Sequence, residues 1–154
     1  MGCRRLLTFL VSATIACLAA AAEAAEAPPA SYARVEVAPT RTFVGIASVG
    51  MTMPVFTRGT GSYEANYRAT VVPWVMFNEK GRLIVDVSDD MLRSLARGET
   101  IEVKGRAVRD DGAERRVEGK VTPADATRGK LKVRVFYSKR ISLSFDTTYR
   151  FVGP

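Results

Sequence analysis

The sequence contains no histidine, and its two cysteines, Cys3 and Cys17, both lie near the N-terminus. The absence of histidine excludes Ser-His-Asp hydrolysis, imidazole general-base catalysis and zinc sites that use imidazole ligands. After Cys17 the chain has no thiol, so this part can form no disulfide and depends on its hydrophobic core for stability. A glycine-rich phosphate loop is also missing, because Gly59-Thr60-Gly61 lacks the lysine and hydroxyl partners.

The N-terminal residues have the pattern of a secretory signal peptide. Two arginines precede an apolar run without charge over residues 6–22, and small residues suited to cleavage follow directly. We predict a signal peptide over residues 1–24, with cleavage between about residues 22 and 27, and hence a secreted or periplasmic protein. A retained membrane anchor and lipidation of Cys17 are the alternatives.

The remaining sequence divides into two regions. Residues 25–31 are rich in alanine, proline and glutamate without an apolar period, so we predict a disordered lead-in. Residues 32–154 are enough for a single β domain with a sizeable core but not for two domains. The formal net charge is +7, and the excess of lysine and arginine lies almost entirely in the last third of the chain.

Alternation of apolar and polar residues dominates from residue 32 onward, and it is typical of half-buried β-strands. Pro73 should interrupt the third strand, because proline cannot donate to a sheet ladder. The apolar segment 74–77 should pair with the strand that follows it as a hairpin, and Asp110-Asp111-Gly112 predicts another hairpin turn. The predicted strands are 33–37, 43–49, 63–71, 83–87, 101–107, 115–121, 131–135 and 141–151.

One short helix is predicted over residues 89–97. Ser88 can cap its first turn, and Asp89 and Asp90 suit the positive end of the helix dipole. Gly98 can end the helix in the left-handed conformation. We therefore expect this helix to lie on an otherwise all-β structure.

About eight short antiparallel strands with one short helix predict an all-β domain, either an immunoglobulin-like β-sandwich or a small barrel. A stretch of under twenty residues resembles the late strands of immunoglobulin-like and fibronectin type III domains. This resemblance implies a sandwich, which is the architecture we expect, and it implies no activity. The residues that carry it are Leu95, Gly98, Ile101, Val103, Ala107 and Gly112.

The outward rows of the later strands are rich in lysine and arginine. In an exported protein, such a face suits an anionic glycan, a lipid head group or an acidic protein, whereas cytoplasmic nucleic acid is out of reach. An ordinary solvated face with cross-strand pairs of opposite charge is the alternative. The candidate binding residues are Lys104, Arg106, Arg116, Lys120, Lys130, Lys132 and Arg134.

Residues 50–62 are too apolar for an ordinary exposed loop. Met51, Met53 and Phe56, together with Trp74, are candidates for an apolar rim that receives a ligand or partner. A lid that closes one end of the core is the alternative interpretation.

Carboxylates are the remaining route to catalysis or metal binding, and Asp86, Asp89 and Asp90 cluster in the sequence. The predicted helix start already explains two of them. We therefore expect a non-enzymatic envelope protein that works as a binding or interaction module, with no cofactor, no metal and no stable transmembrane segment after processing. The alternatives are a carboxylate- or metal-dependent enzyme centred on these aspartates, and a minimal outer-membrane barrel.

Overall fold

The alternating residues form ten β-strands and one α-helix in the computed structural model of the protein, which describes residues 32–153. The predicted signal peptide and lead-in, residues 1–31, lie outside the described residues. No helix among residues 32–153 is both long and apolar enough to cross a membrane. The elements are β1 (Arg34–Val37), β2 (Thr40–Val44), β3 (Ala47–Thr52), β4 (Val55–Arg58), β5 (Ser62–Val72), β6 (Glu79–Asp86), α1 (Asp89–Ala96), β7 (Ile101–Arg109), β8 (Glu114–Pro123), β9 (Arg128–Phe136) and β10 (Ser142–Val152).

The strands form one antiparallel sheet that closes on itself. From β5 to β10 each strand pairs with the next in sequence, and β10 pairs with β1. β4 joins β1 to β5 and completes an eight-stranded barrel. β2 and β3 form a hairpin that continues the barrel wall beyond β1 and β4. β3 pairs with the second half of β5, and β4 pairs with the start of the same edge of β5.

The all-β prediction, with about eight antiparallel strands and one short helix, is confirmed. Of the two architectures considered, the structure has the small barrel and not the expected immunoglobulin-like sandwich. Two pairings decide this, β5 with β6 and β1 with β10, because together they leave one continuous sheet where a sandwich would have two. The resemblance over residues 95–112 covered too little of the chain to predict these pairings.

Glycines inside the strands allow the sheet to bend into a barrel. Gly81, Gly105 and Gly129 lie on β6, β7 and β9 at inward positions of the alternation. A Cβ atom at any of them would lie 2.1–2.4 Å from a carbonyl oxygen of the neighbouring strand. The strands can approach this closely only where a side chain is missing, which is how glycine permits a tight bend in a closed sheet.

The inward rows form a continuous apolar core. Phe145 on β10 and Leu92 on α1 are the most deeply buried large side chains, each 1% exposed. α1 lies between β6 and β7 and covers one end of the barrel, where Leu95 is also buried. We call this end the helix end.

The predicted helix is confirmed to within one residue. The Ser88 Oγ accepts a hydrogen bond from the Met91 backbone N–H at 3.3 Å, and Asp89 and Asp90 occupy the first turn. Gly98, just after the last turn, has a φ of +83°. The left-handed conformation that Gly98 adopts is open to glycine at little cost, which explains why the helix ends there.

Two predicted strands differ in the structure. Residues 43–49 were expected as one strand but form the tip of a hairpin, because Gly45, with a φ of +58°, turns the chain between β2 and β3. The apolar segment 74–77 is a loop that contains a short 3-10 turn, Val75–Phe77. Pro73 ends β5 as expected, and the segment after it does not rejoin the sheet.

Candidate functional site

The seven predicted basic residues all lie exposed on one outer face of β7, β8 and β9. We call this face the basic wall. Outward residues of adjacent strands lie side by side, so their charges act on one another across the sheet. Register therefore decides which of these charges are neutralised by a neighbour and which are not.

One band of the basic wall is balanced by acidic residues. Lys104 lies opposite both Asp86 and Glu118, and Glu118 lies opposite Arg134 on its other side. The Arg116 Nε atom is 3.6 Å from the Glu118 Oε1 atom. This band has the cross-strand pairing of an ordinary solvated face.

A second band concentrates lysine. Lys120 on β8 lies directly opposite Lys132 on β9, and Lys130 follows on the same face two residues away. Acidic residues flank this pair, because Glu102 on β7 lies opposite Lys120 and Asp146 on β10 lies opposite Lys132, with the Lys132 Nζ atom 3.9 Å from the Asp146 Oδ1 atom. Within the described chain Lys120 and Lys130 make no ion pair. We call these three residues the lysine cluster. Like charges placed directly opposite on a sheet repel each other, so the two central lysines remain opposed although an acidic residue lies on the far side of each.

Large apolar side chains are exposed at the end of the barrel opposite α1. Three loops and the strand ends that adjoin them carry these side chains: the turn between β2 and β3, the loop between β5 and β6, and the turn between β9 and β10. Ile46, Met76 and Phe43 are the most exposed, at 81%, 76% and 71%. We call this set the apolar crown, and this end the crown end. Its members are Phe43, Val44, Ile46, Val72, Trp74, Val75, Met76, Phe77, Tyr137 and Ile141.

Pairing between strands brings the three loops to the same end. Ser48, just after the β2–β3 turn, lies opposite Val72 at the start of the β5–β6 loop. β2 also runs beside β10, since the Thr40 hydroxyl donates to the Asp146 carbonyl oxygen at 2.8 Å. The crown is therefore a property of the closed barrel and not of any one loop.

A polar network closes the barrel beneath the crown. The Glu79 carboxylate accepts hydrogen bonds from the Arg115 guanidinium at 2.9 Å and from the Tyr67 hydroxyl at 3.2 Å, and the Arg109 Nε atom lies 3.4 Å away. Arg115 also donates to the Tyr137 carbonyl oxygen at 3.0 Å and lies over the Tyr137 ring at 3.9 Å. Burial raises the pKa of Tyr67, and the Glu79 carboxylate raises it further. We call this network the polar plug.

The four residues predicted to form an exposed apolar rim do not lie together on the surface. Met51, Met53 and Phe56 are 6%, 2% and 6% exposed and lie in the barrel interior, which corrects the interpretation of these three residues as an exposed rim. They point inward because β3 and β4 continue the alternation of the sheet. Trp74 is 40% exposed and belongs to the crown.

Sequence reasoning missed most of the crown. The signal was present in the run from Pro73 to Phe77, where a proline is followed by four large apolar residues. That run was assigned to a strand, which would have buried half of it. An apolar segment that proline prevents from entering a sheet is instead a candidate exposed loop.

The aspartates proposed for catalysis or metal binding each have a separate partner. Asp89 forms an ion pair with Arg58, and Asp90 forms one with Arg93. Asp86 is exposed on the outer face of β6, opposite Lys104. In the described part of the chain, no group of three or more acidic side chains is placed to hold a metal ion.

A small cavity lies inside the barrel near the helix end. Its volume is about 90 Å³, and Leu92 and Leu95 of α1 line it together with apolar residues of the strands, including Met53 and Phe56. Empty apolar cavities of this kind remain dry. The cavity offers space for only a few non-hydrogen atoms.

Comparison with known proteins adds no family to these observations. No protein-family profile, no curated protein and no solved structure is significantly similar to the chain.

Proposed function

We propose that the protein is an exported, non-enzymatic binding module of the cell envelope that holds an anionic partner on its basic wall. The lysine cluster carries this proposal, because Lys120 and Lys132 lie directly opposite each other with Lys130 beside them. The two opposed lysines repel each other, and a negatively charged group bound between them and Lys130 would relieve this repulsion.

The shape of the wall indicates the kind of partner. The lysine cluster lies on the outer face of paired strands, so its side chains are open to solvent on one side. Such a surface suits an extended partner with repeated negative charges, such as an anionic glycan or a layer of lipid head groups, better than a single enclosed small molecule. Arg106 and Arg116, which also lie opposite each other, extend the positive surface toward the crown end.

The alternatives receive less support from the geometry. The three aspartates of the carboxylate hypothesis are separately paired or exposed, and they do not converge on one space. An outer-membrane barrel needs an apolar outer surface at the depth of the lipid chains. The outer face here carries Glu64 and Arg82 at mid-strand positions, and the apolar rows face inward.

A matched pair of triple variants tests the basic wall. We expect Lys120→Gln/Lys130→Gln/Lys132→Gln to weaken binding to immobilised heparin and to anionic vesicles by about tenfold at physiological ionic strength, since surface charge attraction falls with each charge removed. The control, Arg68→Gln/Lys80→Gln/Arg82→Gln, removes the same charge from β5 and β6, neither of which pairs with the strands β8 and β9 that carry the lysine cluster. We expect it to change binding by less than about twofold.

Equal weakening by both triple variants would show a general effect of net charge and would overturn the proposed site. Absence of salt-sensitive binding in the unaltered protein would overturn the proposed function. Export is tested separately by cell fractionation with mass spectrometry. The exported form should begin between residues 23 and 28, and an unprocessed protein in the cytoplasm would contradict the proposal.

A further inference from the structure

We propose that the apolar crown is a membrane-docking surface that inserts into the head-group region of an anionic phospholipid bilayer. The proposal goes beyond binding at the basic wall, because it rests on different residues at a different place on the barrel. Four observations carry it: the exposure of the crown, the hydrogen bonding of its loops, the charges beside it and the way the polar plug holds it.

The exposure of the crown needs a partner to explain it. Ten large apolar side chains from three loops are exposed at one end of the barrel. Single exposed apolar residues are ordinary, whereas a group of this size at one end of a barrel indicates an interaction surface. These side chains lie at the tips of loops that project from the barrel, which suits shallow insertion between lipid head groups.

Several backbone groups of the crown loops are already hydrogen-bonded within their own loop and need no water as a partner. In the β5–β6 loop, the N–H groups of Val75, Phe77 and Asn78 donate to carbonyl oxygens of the same loop at 3.0–3.1 Å. The Asn78 side-chain oxygen accepts from the Val71 N–H at 2.7 Å. Because an unsatisfied backbone group is costly in lipid, this internal bonding favours insertion.

The β9–β10 turn has the same property. The N–H groups of Tyr137 and Ser138 donate to the Ile141 carbonyl oxygen at 3.0 and 3.1 Å. The Ser138 hydroxyl accepts from the N–H groups of Arg140 and Ile141 at 3.3 and 3.1 Å. The turn is thus closed on itself while its apolar side chains point outward.

The charges beside the crown select an anionic membrane over a second copy of the chain. Lys139 and Arg140 lie exposed in the β9–β10 turn, and Arg41 lies exposed on β2. Within the described residues none of these three forms an ion pair. The β7–β8 turn at the same end carries acidic residues, of which Asp110 pairs with Lys80 and Asp111 with Arg109, while Glu114 is exposed. The three positive charges without ion pairs would face each other in a symmetric contact between two crowns, whereas an anionic lipid surface attracts them.

The polar plug holds the crown in a defined position. Arg115 donates to the Tyr137 carbonyl oxygen and stacks on the Tyr137 ring, which attaches the β9–β10 turn to the barrel. A surface that is already ordered loses little conformational freedom on binding. The crown therefore has both the composition and the rigidity of a membrane-docking surface.

The single tryptophan of the chain, Trp74, lies in the crown and reports on insertion. Vesicles that contain about a third phosphatidylglycerol in phosphatidylcholine should shift its fluorescence to shorter wavelength, and brominated lipids should quench it. Pure phosphatidylcholine vesicles should give a much weaker response, because the basic residues gain little there. An unshifted, unquenched spectrum at saturating anionic lipid would overturn the proposal.

Matched variants separate the crown from the basic wall. We expect Val75→Ser/Met76→Ser/Phe77→Ser to reduce co-sedimentation with anionic vesicles at least tenfold, and Lys139→Gln/Arg140→Gln to reduce it about tenfold. The control Ala124→Ser/Ala126→Ser, in the β8–β9 turn at the helix end, should bind normally. Each variant is first checked for an unchanged melting temperature.

The lysine-cluster variant distinguishes the two proposals. If it loses heparin binding but keeps the Trp74 blue shift, both proposals stand; if it keeps heparin binding while the crown variants lose lipid binding, only the basic wall falls. If the crown variants instead change the sedimentation coefficient of the free protein and leave lipid binding intact, the crown is an interface between copies and the membrane proposal is overturned. Crown-dependent binding to an acidic protein without lipid binding would overturn it as well.

Discussion

The two ends of the barrel are closed in opposite ways. At the helix end, α1 inserts Leu92 and Leu95 into the interior, so apolar side chains form the seal. At the crown end, Glu79 and Arg115 of the polar plug form the seal, and the apolar side chains of the surrounding loops point outward. The same kinds of residue therefore stabilise the fold at one end and lie free at the other.

This difference between the two ends shows how a barrel can leave apolar residues exposed for contact with a partner. The polar plug satisfies its own hydrogen bonds, and none of the fully buried side-chain nitrogen or oxygen atoms in the described residues lacks a hydrogen-bond partner. A closed polar network needs no apolar cover, so the loops around it need not fold inward. At the helix end Arg58 pairs with Asp89 and lies over the Tyr63 ring, and burial of α1 supplies the apolar closure.

The largest expected effect concerns the helix end. Leu92→Ala should lower the free energy of unfolding by about 3–4 kcal/mol, because the side chain is almost fully buried and the existing cavity beside it would grow. Phe77→Ala in the crown should change it by less than about 0.5 kcal/mol, although it removes a larger side chain. Urea denaturation of both variants measures the contrast, and similar losses would break the comparison between the ends.

A smaller loss is expected at the polar plug. Glu79→Ala leaves the Arg115 guanidinium, which is 10% exposed, without its carboxylate partner. Because the pair retains some contact with water, we expect a loss of about 2 kcal/mol, below the range for a fully buried pair. Urea denaturation of Glu79→Ala measures this loss in the free energy of unfolding, with Lys80→Ala, at an exposed neighbouring residue, as the control. Equal stability of the two variants would show that the plug does not seal the crown end.

The smallest expected effect is a loss of stability at alkaline pH, and it tests how fully Tyr149 is buried near the helix end. Burial raises the pKa of Tyr149 to about 12, whereas an unfolded tyrosine titrates near 10. Between these values the folded protein holds more protons than the unfolded chain, so stability is unaffected below pH 10 and falls as the pH rises toward 12. Tyr149→Phe should make this fall shallower by about 1 kcal/mol per pH unit, measured by denaturation at several pH values. An unchanged slope would contradict the burial of this hydroxyl.

Much of the fold could be predicted because it depends on local patterns. The period of two along β7 to β10 correctly predicts which residues face out, and so places every residue of the basic wall. Ser88 and Gly98 likewise locate both ends of α1. These features depend on residues close in sequence, where sterics and hydrogen bonding leave few alternatives.

The surfaces proposed for function could be predicted only in part. The residues of the lysine cluster were included among the candidates, but the direct opposition of Lys120 and Lys132 depends on the register between strands. The crown was missed because an apolar segment was assumed to be buried. Whether such a segment is buried depends on whether the rest of the chain provides space for it, and the polar plug occupies that space here.

The sequence by itself determined an all-β region without imidazole and, after Cys17, without thiols, the inward and outward faces of its strands, and the excess of positive charge in the last third of the chain. Only the tertiary structure decided that the sheet closes into a barrel, which lysines lie directly opposite each other, and that three distant loops present their apolar residues together. The physical reason is the separation along the chain between the residues that interact. Alternation and capping act between residues a few positions apart, whereas closure, register and the meeting of loops depend on contacts between strands far apart in the chain.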